Sequence, residues 1–228
     1  MGDNPRIVFH VGGPAFHPVD EQARAIEGWL GPGFACERRH GHAAFDRLGD
    51  CDLFVPMGLF WTGSNADWAG SVPYVPLGDE QKAALERYCA AGGPVLSHHG
   101  AVASYDDWPR FGELLGFAWV WGTTTHSPFG TWTVNVTDPH HPVTRGVAGY
   151  TLEDELYYNV TLTDEPRTRV HATAAYGGQP RPMVMTMDRG AGGGRRAYLA
   201  NGHDMRAFAN PAIRQLWVNA VNWCLGRA

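Results

Sequence analysis

The chain predicts an α/β fold: a mostly parallel central sheet with helices on both faces. Three observations carry this. Short apolar runs alternate with segments of helical spacing through the first half. Gly and Pro clusters separate them. The order that results is β-α-β-β-α-β-α, in which strands are buried between two helical layers. At 228 residues with a 44% apolar share, the chain reads as one unit, 1–228, with material for a full core.

Arg6–Val11, RIVFHV, is the first strand. A Gly/Pro loop, GGPAFHP, follows and ends at His17. Val19–Leu30 places Val19, Ala23, Ile26 and Leu30 at helical spacing, and Gly31-Pro32-Gly33 stops it. Phe34–Arg38 is a second strand. Cys51–Pro56 is a third, entered through Gly49 and Asp50. Met57–Gly78 is long, aromatic and without period, the mark of a functional loop or rim. Asp79 is the expected N-cap of a helix over Glu80–Ala91, which Gly92-Gly93 ends. Pro94–Ser97, PVLS, is a central strand running into a sharp turn, and a helix covers Trp108–Leu115. The second half is strand-rich: Thr131–Thr137, Arg169–Ala174, Pro182–Asp188 and Arg196–Ala200. The last helix, Pro211–Leu225, has Pro in its first turn. Its stripe of Ile213, Leu216, Trp217, Ala220, Val221 and Cys224 is packing. Arg189–Arg196 is a Gly-rich hairpin loop; it lacks the Lys-Ser/Thr ending and the following helix of a phosphate loop.

The net charge is −5, and no Lys/Arg run exceeds a short pair such as Arg38-Arg39 or Arg195-Arg196. Nucleic acid and anionic membranes therefore have no electrostatic footing here. No apolar run approaches the ~18 residues of a membrane helix. The start, MGDNPRIVFHV, has no basic segment leading into a signal-type apolar stretch, and Arg6 stands where a myristoylation signal wants Ser or Thr. The four cysteines are scattered without a C-x-x-C, which suits packed thiols in a reducing cytoplasm.

Ligands of open α/β sheets bind beyond the carboxyl ends of the strands. His17 follows the first strand, His98 and His99 follow PVLS, and His203 and Asp204 follow Arg196–Ala200. The acidic Glu153–Glu155 stretch lies in a loop able to reach the same rim. Three imidazoles and a carboxylate at one height suit a first-row divalent ion, zinc or similar. A loop histidine is more often merely solvated, and only the shared position after strands lifts these above that. His40 and His42 precede a strand and read as surface. His140-His141 before Pro142 reads as a turn, and His171 as a packed strand residue. Ser97 is a late strand residue rather than the apex, and no cysteine occupies a strand-to-helix corner. A covalent attacker at the PVLS corner is thus missing, and imidazoles that bind metal or move protons stand in its place.

Four stretches in order, YCAAGGPVLSHHGA, THSPFGTWTVNVTDPHHPVTRGV, EDELYYNV and GRRAYLANGHD with NPAIRQLWVNAVNWCLG, resemble the ThuA-like (trehalose utilisation) family of the class I glutamine amidotransferase-like superfamily. The resemblance spans nearly the whole chain. It implies a flavodoxin-like fold without the amidotransferase cysteine, and a substrate related to trehalose and similar disaccharides as 3-keto sugars. It matches Phe16-His17 to the element after the first strand and His98 to the corner histidine. It matches His126 to a histidine beyond the next element, Glu155 with Tyr157 to the Asp-Glu-x-Tyr motif, and His203 to the Gly-His motif. The chain departs from the pattern at His99, where a small residue is usual, and in the aromatic loop with Phe60, Trp61, Trp68 and Tyr74. Both departures leave a non-trehalose substrate open.

The expected activity is a metal-assisted hydrolysis, elimination or isomerisation of a sugar or related polyol or keto compound. His17, His98 and His203 are the expected metal ligands. Glu155 completes the coordination or serves as base, and His99, Tyr157 and Asp204 join it as the catalytic group. Trp61 and His126 are expected against the substrate. Two other readings share the fold: a metal-free His/Glu acid–base enzyme, and a non-catalytic ligand-binding or regulatory module. A homo-oligomer is open, since the aromatic loop suits a dimer surface as well as a lid.

Overall fold

Strand β1, Arg6–Val11, divides its side chains between two cores. Ile7, Phe9 and Val11 face one hydrophobic cluster and Val8 the other, the period-two alternation of a strand covered on both sides. This computed structural model describes residues 4–64, 72–189 and 193–227. After β1 come α1 (Val19–Leu30), β2 (Ala35–His40) and β3 (Leu53–Pro56). Then follow α2 (Asp79–Ala90), β4 (Val95–His98) and α3 (Arg110–Leu115). The middle of the chain holds β5 (Phe117–Ala118), β6 (Thr125–His126), β7 (Gly130–Val136), β8 (Tyr150–Asp154), β9 (Tyr157–Tyr158) and β10 (Thr161–Leu162). The last part holds β11 (Thr168–Tyr176), β12 (Gln179–Met187), β13 (Arg196–Leu199), α4 (Met205–Phe208) and α5 (Pro211–Cys224).

The main sheet has nine strands in the order β2-β1-β3-β4-β13-β12-β11-β7-β8. The run from β2 to β13 is parallel throughout. Beyond β13 the pairings are antiparallel, so β12 and β7 run against the rest while β11 and β8 run with them. The β11–β12 hairpin turns on Gly177 and Gly178 at φ 61° and 73°, as a two-residue turn of this hand requires. On one face, α1 and α5 cover the sheet through Ala23, Ile26, Leu216, Trp217 and Ala220. On the other, α2, α3 and a 3₁₀ stretch over Gly41–Asp50 bring Leu85, Phe111, Phe45 and Leu48 against Val8, Phe54 and Val95. This is the expected α/β sheet with helices on both faces.

Several local expectations shift. Gly78, not Asp79, is the N-cap of α2; Asp79 takes the first helical position, where its charge suits the helix N-terminus. β2 runs on to His40, so His40 ends a strand and His42 follows it, though His40 is still exposed and His42 bonds the Val75 carbonyl. Tyr150–Asp154 is a strand, not a loop: Tyr150, Leu152 and Asp154 point inward while Thr151 and Glu153 point out. His171 is a packed strand residue, bonded to Asp138 and Thr186 and stacked on His141 at 3.9 Å. All four cysteines are free thiols. Among the described residues no helix is long and apolar enough to cross a membrane.

Candidate metal centre and its aromatic cavity

Strand β4 continues through His98, one residue past PVLS. Leu96 and His98 therefore share a face, the one covered by α1 and α5. The His98 ring packs on Trp217 and Phe208 at 5.3 and 5.7 Å between centroids. Gln22 Nε2 donates to the Gly202 carbonyl at 2.7 Å, which turns its amide oxygen toward His98. His98 Nε2 then donates to Gln22 Oε1 at 3.0 Å. His98 thus does not join the cluster expected of it. Gly202 closes over this ring at φ 132°, where a Cβ would stand 2.2 Å from His98 Cε1.

His99 is the true corner. Its φ of 34° lies in the left-handed region, uncommon for a residue with a side chain but less so for histidine. That kink throws its ring out of the sheet to the rim. His99 Nδ1 donates to the Ala200 carbonyl at 2.7 Å, which fixes Nε2 as the nitrogen facing Glu155 Oε1, 3.4 Å away. Buried His99 Nε2 makes no hydrogen bond. His203, just past β13, sets Nδ1 3.1 Å from the same Glu155 oxygen and 3.0 Å from His17 Nε2. His17, His99, Glu155 and His203 thus offer four ligand atoms within 4.8 Å of one another. Each comes just after the carboxyl end of β1, β4, β8 or β13.

Edge strand β8 is tied to this rim by Asp154. Its carboxylate accepts from Gly202 N, His203 N and Asn201 Nδ2 at 2.8, 2.9 and 3.1 Å. Tyr150 OH adds a bond to Asn201 at 3.1 Å. Asp154 thus holds the His203 loop, while Asp204, expected in the catalytic group, turns away: its side chain caps α4 and pairs with Arg206. In sequence Asp154 groups with Glu153 and Glu155; the alternation from Tyr150 is the signal that separates it.

Electrostatics in the metal-free cluster divide the imidazoles. Burial, then the His99 and His203 rings, pushes His17 well below the usual histidine range, which favours its neutral form. Burial also opposes protonation of His99, but Glu155 and Asp154 outweigh it and raise its pKa. For Glu155, burial opposes charge, and the His126, His203 and His99 imidazoles beside it outweigh burial and hold the carboxyl far below the usual range. Burial raises Asp154. His126 Nδ1 reaches Glu155 Oε2 at 3.1 Å and the Ser127 carbonyl at 2.9 Å; the bond to Glu155 raises its pKa.

The cluster opens on a cavity of about 720 Å³. His203, Glu155, His126 and Tyr157 form one end, and Trp61, Trp119, Trp121, Phe16 and Leu59 line the rest. Trp61, His126 and Tyr157 therefore stand where a substrate would meet them. Sequence reasoning missed Trp119 and Trp121; they sit in no periodic segment, and only the aromatic run WVW marks them. Trp68 lies outside the described residues.

The donor set suits a divalent ion. Three imidazole nitrogens and a carboxylate are the ligands that zinc and its neighbours take. His99 shows the usual support of a metal-bound histidine: its far N–H held by a backbone carbonyl, its near nitrogen buried without a hydrogen bond.

Two solved structures similar to this chain are ThuA-like proteins from Parabacteroides merdae (18% identity, TM-score 0.73, 98% of this chain and 90% of that one) and Bacteroides uniformis (19%, 0.71, 98% and 93%). A GMP synthase protein from Thermoplasma acidophilum is similar at 12% identity and TM-score 0.55, over 98% of this chain and 97% of that one. At these identities the likeness is one of fold alone. No curated protein matches the chain. Residues 40–224 match the family model described as "Trehalose utilisation". That span covers most of the chain, from the end of β2 to the end of α5, and the chain belongs to the ThuA family.

Proposed function

We propose that the chain is a metal-assisted enzyme of sugar metabolism, acting on a sugar or a related small polyol or keto compound. The observation that carries this is the meeting of three imidazoles and Glu155 within 4.8 Å at one end of an aromatic cavity. The family's description supplies the sugar. His17, His99 and His203 with Glu155 would hold the ion, which when bound supplies Lewis acidity toward a carbonyl or hydroxyl oxygen. Ala200 and Asp154 hold His99 and His203 in register for that task. Tyr157 lies 4.1 Å from the His99 ring and with Trp119 keeps water from that side. Hydrolysis, elimination and isomerisation all suit such a site.

Metal analysis of purified protein tests this. One equivalent of a transition metal is expected, lost in both His99→Ala and His203→Ala. Metal that survives both substitutions overturns the ligand set. A second reading rests on His126, whose Nδ1–H is held by Glu155 Oε2 at 3.1 Å. That pair is an acid–base dyad in its own right. Full turnover after exhaustive chelation selects it.

A further inference from the structure

We infer that the cavity takes a two-part molecule: a sugar-like ring at the histidine–glutamate end and a flat aromatic group along the tryptophan wall. The sugar half rests on the function proposed above; the aromatic half rests on the wall itself. A continuous series of rings leads away from the cluster. Tyr157 lies 4.1 Å from His99, Trp119 lies 4.9 Å from Tyr157, and Trp121 lies 5.6 Å from Trp119. Trp121 is 54% exposed, yet it is pinned, because its indole N–H donates to Asp106 Oδ2 at 2.8 Å. Asp106 also accepts from Thr62 N and Thr62 Oγ1, both at 2.8 Å. The one other carboxylate lining the described cavity is thereby engaged three times over. An exposed tryptophan held this way is a preorganised apolar face.

The volume, about 720 Å³, is that of a site for a molecule well beyond a single small ring. A second sugar along this wall would bring hydroxyls around its whole edge, and those turned onto the indole faces lose water without gaining a partner, since Asp106 is already engaged. An aryl group asks for none and gains from every ring it covers. The chemical class is thus an aryl glycoside or an oxidised derivative of one, with the aryl group toward Trp121.

Calorimetric titration of the purified protein, metal-loaded and chelated, tests this with four probes: phenyl D-glucosides, methyl D-glucosides, trehalose and phenol. Phenyl glucoside is expected to bind about tenfold or more tighter than methyl glucoside. Trp121→Ala, at an exposed position, should remove most of that preference and leave methyl glucoside binding unchanged. Equal binding of the phenyl and methyl compounds overturns the inference. Trehalose binding tightest also overturns it while upholding the sugar reading. Phenol binding as tightly as phenyl glucoside, with both sugars silent, upholds the aromatic wall and overturns the sugar reading.

Discussion

His98 and His99 are neighbours in sequence and face different compartments. His98 Nε2 reaches inward to Gln22 Oε1 at 3.0 Å, whereas His99 Nε2 faces Glu155 Oε1 across the rim at 3.4 Å. The parity of β4 and the positive φ at His99 produce the split. The two alanine variants should therefore fail in different ways. His99→Ala is expected to lose bound metal and activity while remaining folded. His98→Ala leaves a cavity beside Trp217 and an unpaired Gln22 oxygen, at a cost of about 2–4 kcal/mol. It should keep its metal. Metal content and denaturant unfolding on both proteins decide the matter, and metal loss in His98→Ala with metal retained in His99→Ala would reverse the assignment.

Asp154 carries the second prediction. Its two oxygens serve three N–H groups, two of them backbone amides of the His203 loop. Asparagine has the same shape but only one accepting oxygen, so its amide must face at least one donor. Asp154→Asn is expected to cost about 1–3 kcal/mol of stability. With His203 less firmly held, metal affinity should fall about 10–100-fold. Competition against a chelator of known affinity measures the second effect, and an unchanged affinity would show that Asp154 only braces β8.

Acid and base act on the cluster in opposite senses. Glu155 is depressed from 4.5, so its pairing adds stability above that value and loses it as pH falls. His99 is raised from 6.5, so its contribution is complete below 6.5 and fades as pH climbs through the raised value. In metal-free protein the two overlap between 4.5 and 6.5. The thermal midpoint of metal-free wild type should exceed that of metal-free Glu155→Gln most in that window. Metal must displace the His99 proton, so the stabilisation by added metal should instead grow from about pH 6 to about pH 8. A metal effect that shrinks over that range would count against His99 as a ligand.

The rim rule and the alternation of short apolar runs with helical spacing made much of this legible. β1, α1, β4, β13 and α5 stand within a residue or two of their sequence positions. The loops bearing His17 and His203 meet as their place after strands implied, and Glu155 reaches the same rim. What was hidden depends on single-residue geometry. Whether His98 or His99 faces the rim turns on where β4 ends, and no residue type there announces it. Asp204 sits beside His203 in sequence, yet a local bond to the Arg206 amide draws its side chain into a helix cap. Asp154 and Glu155 look alike in a run of acids; the end of an edge strand separates a buried brace from a cluster member.

Gly100 offers the narrowest test of His17. A Cβ built there would meet His17 Cε1 at 2.9 Å and Nδ1 at 3.1 Å, with Leu59 Cδ2 next at 3.6 Å. Its backbone is not in the left-handed region, so alanine brings no conformational strain of its own. The added methyl acts on one thing, the edge of the His17 imidazole, and pushes it against His203. His17 is buried, so the ring has little room to retreat. Gly100→Ala should therefore weaken metal retention about tenfold or more while costing about 1–3 kcal/mol of stability, the usual penalty for one excess methyl in a packed site. Chelator competition and unfolding midpoints separate the two effects. Unchanged metal retention in a folded Gly100→Ala protein would mean that His17 packs against the centre without holding it.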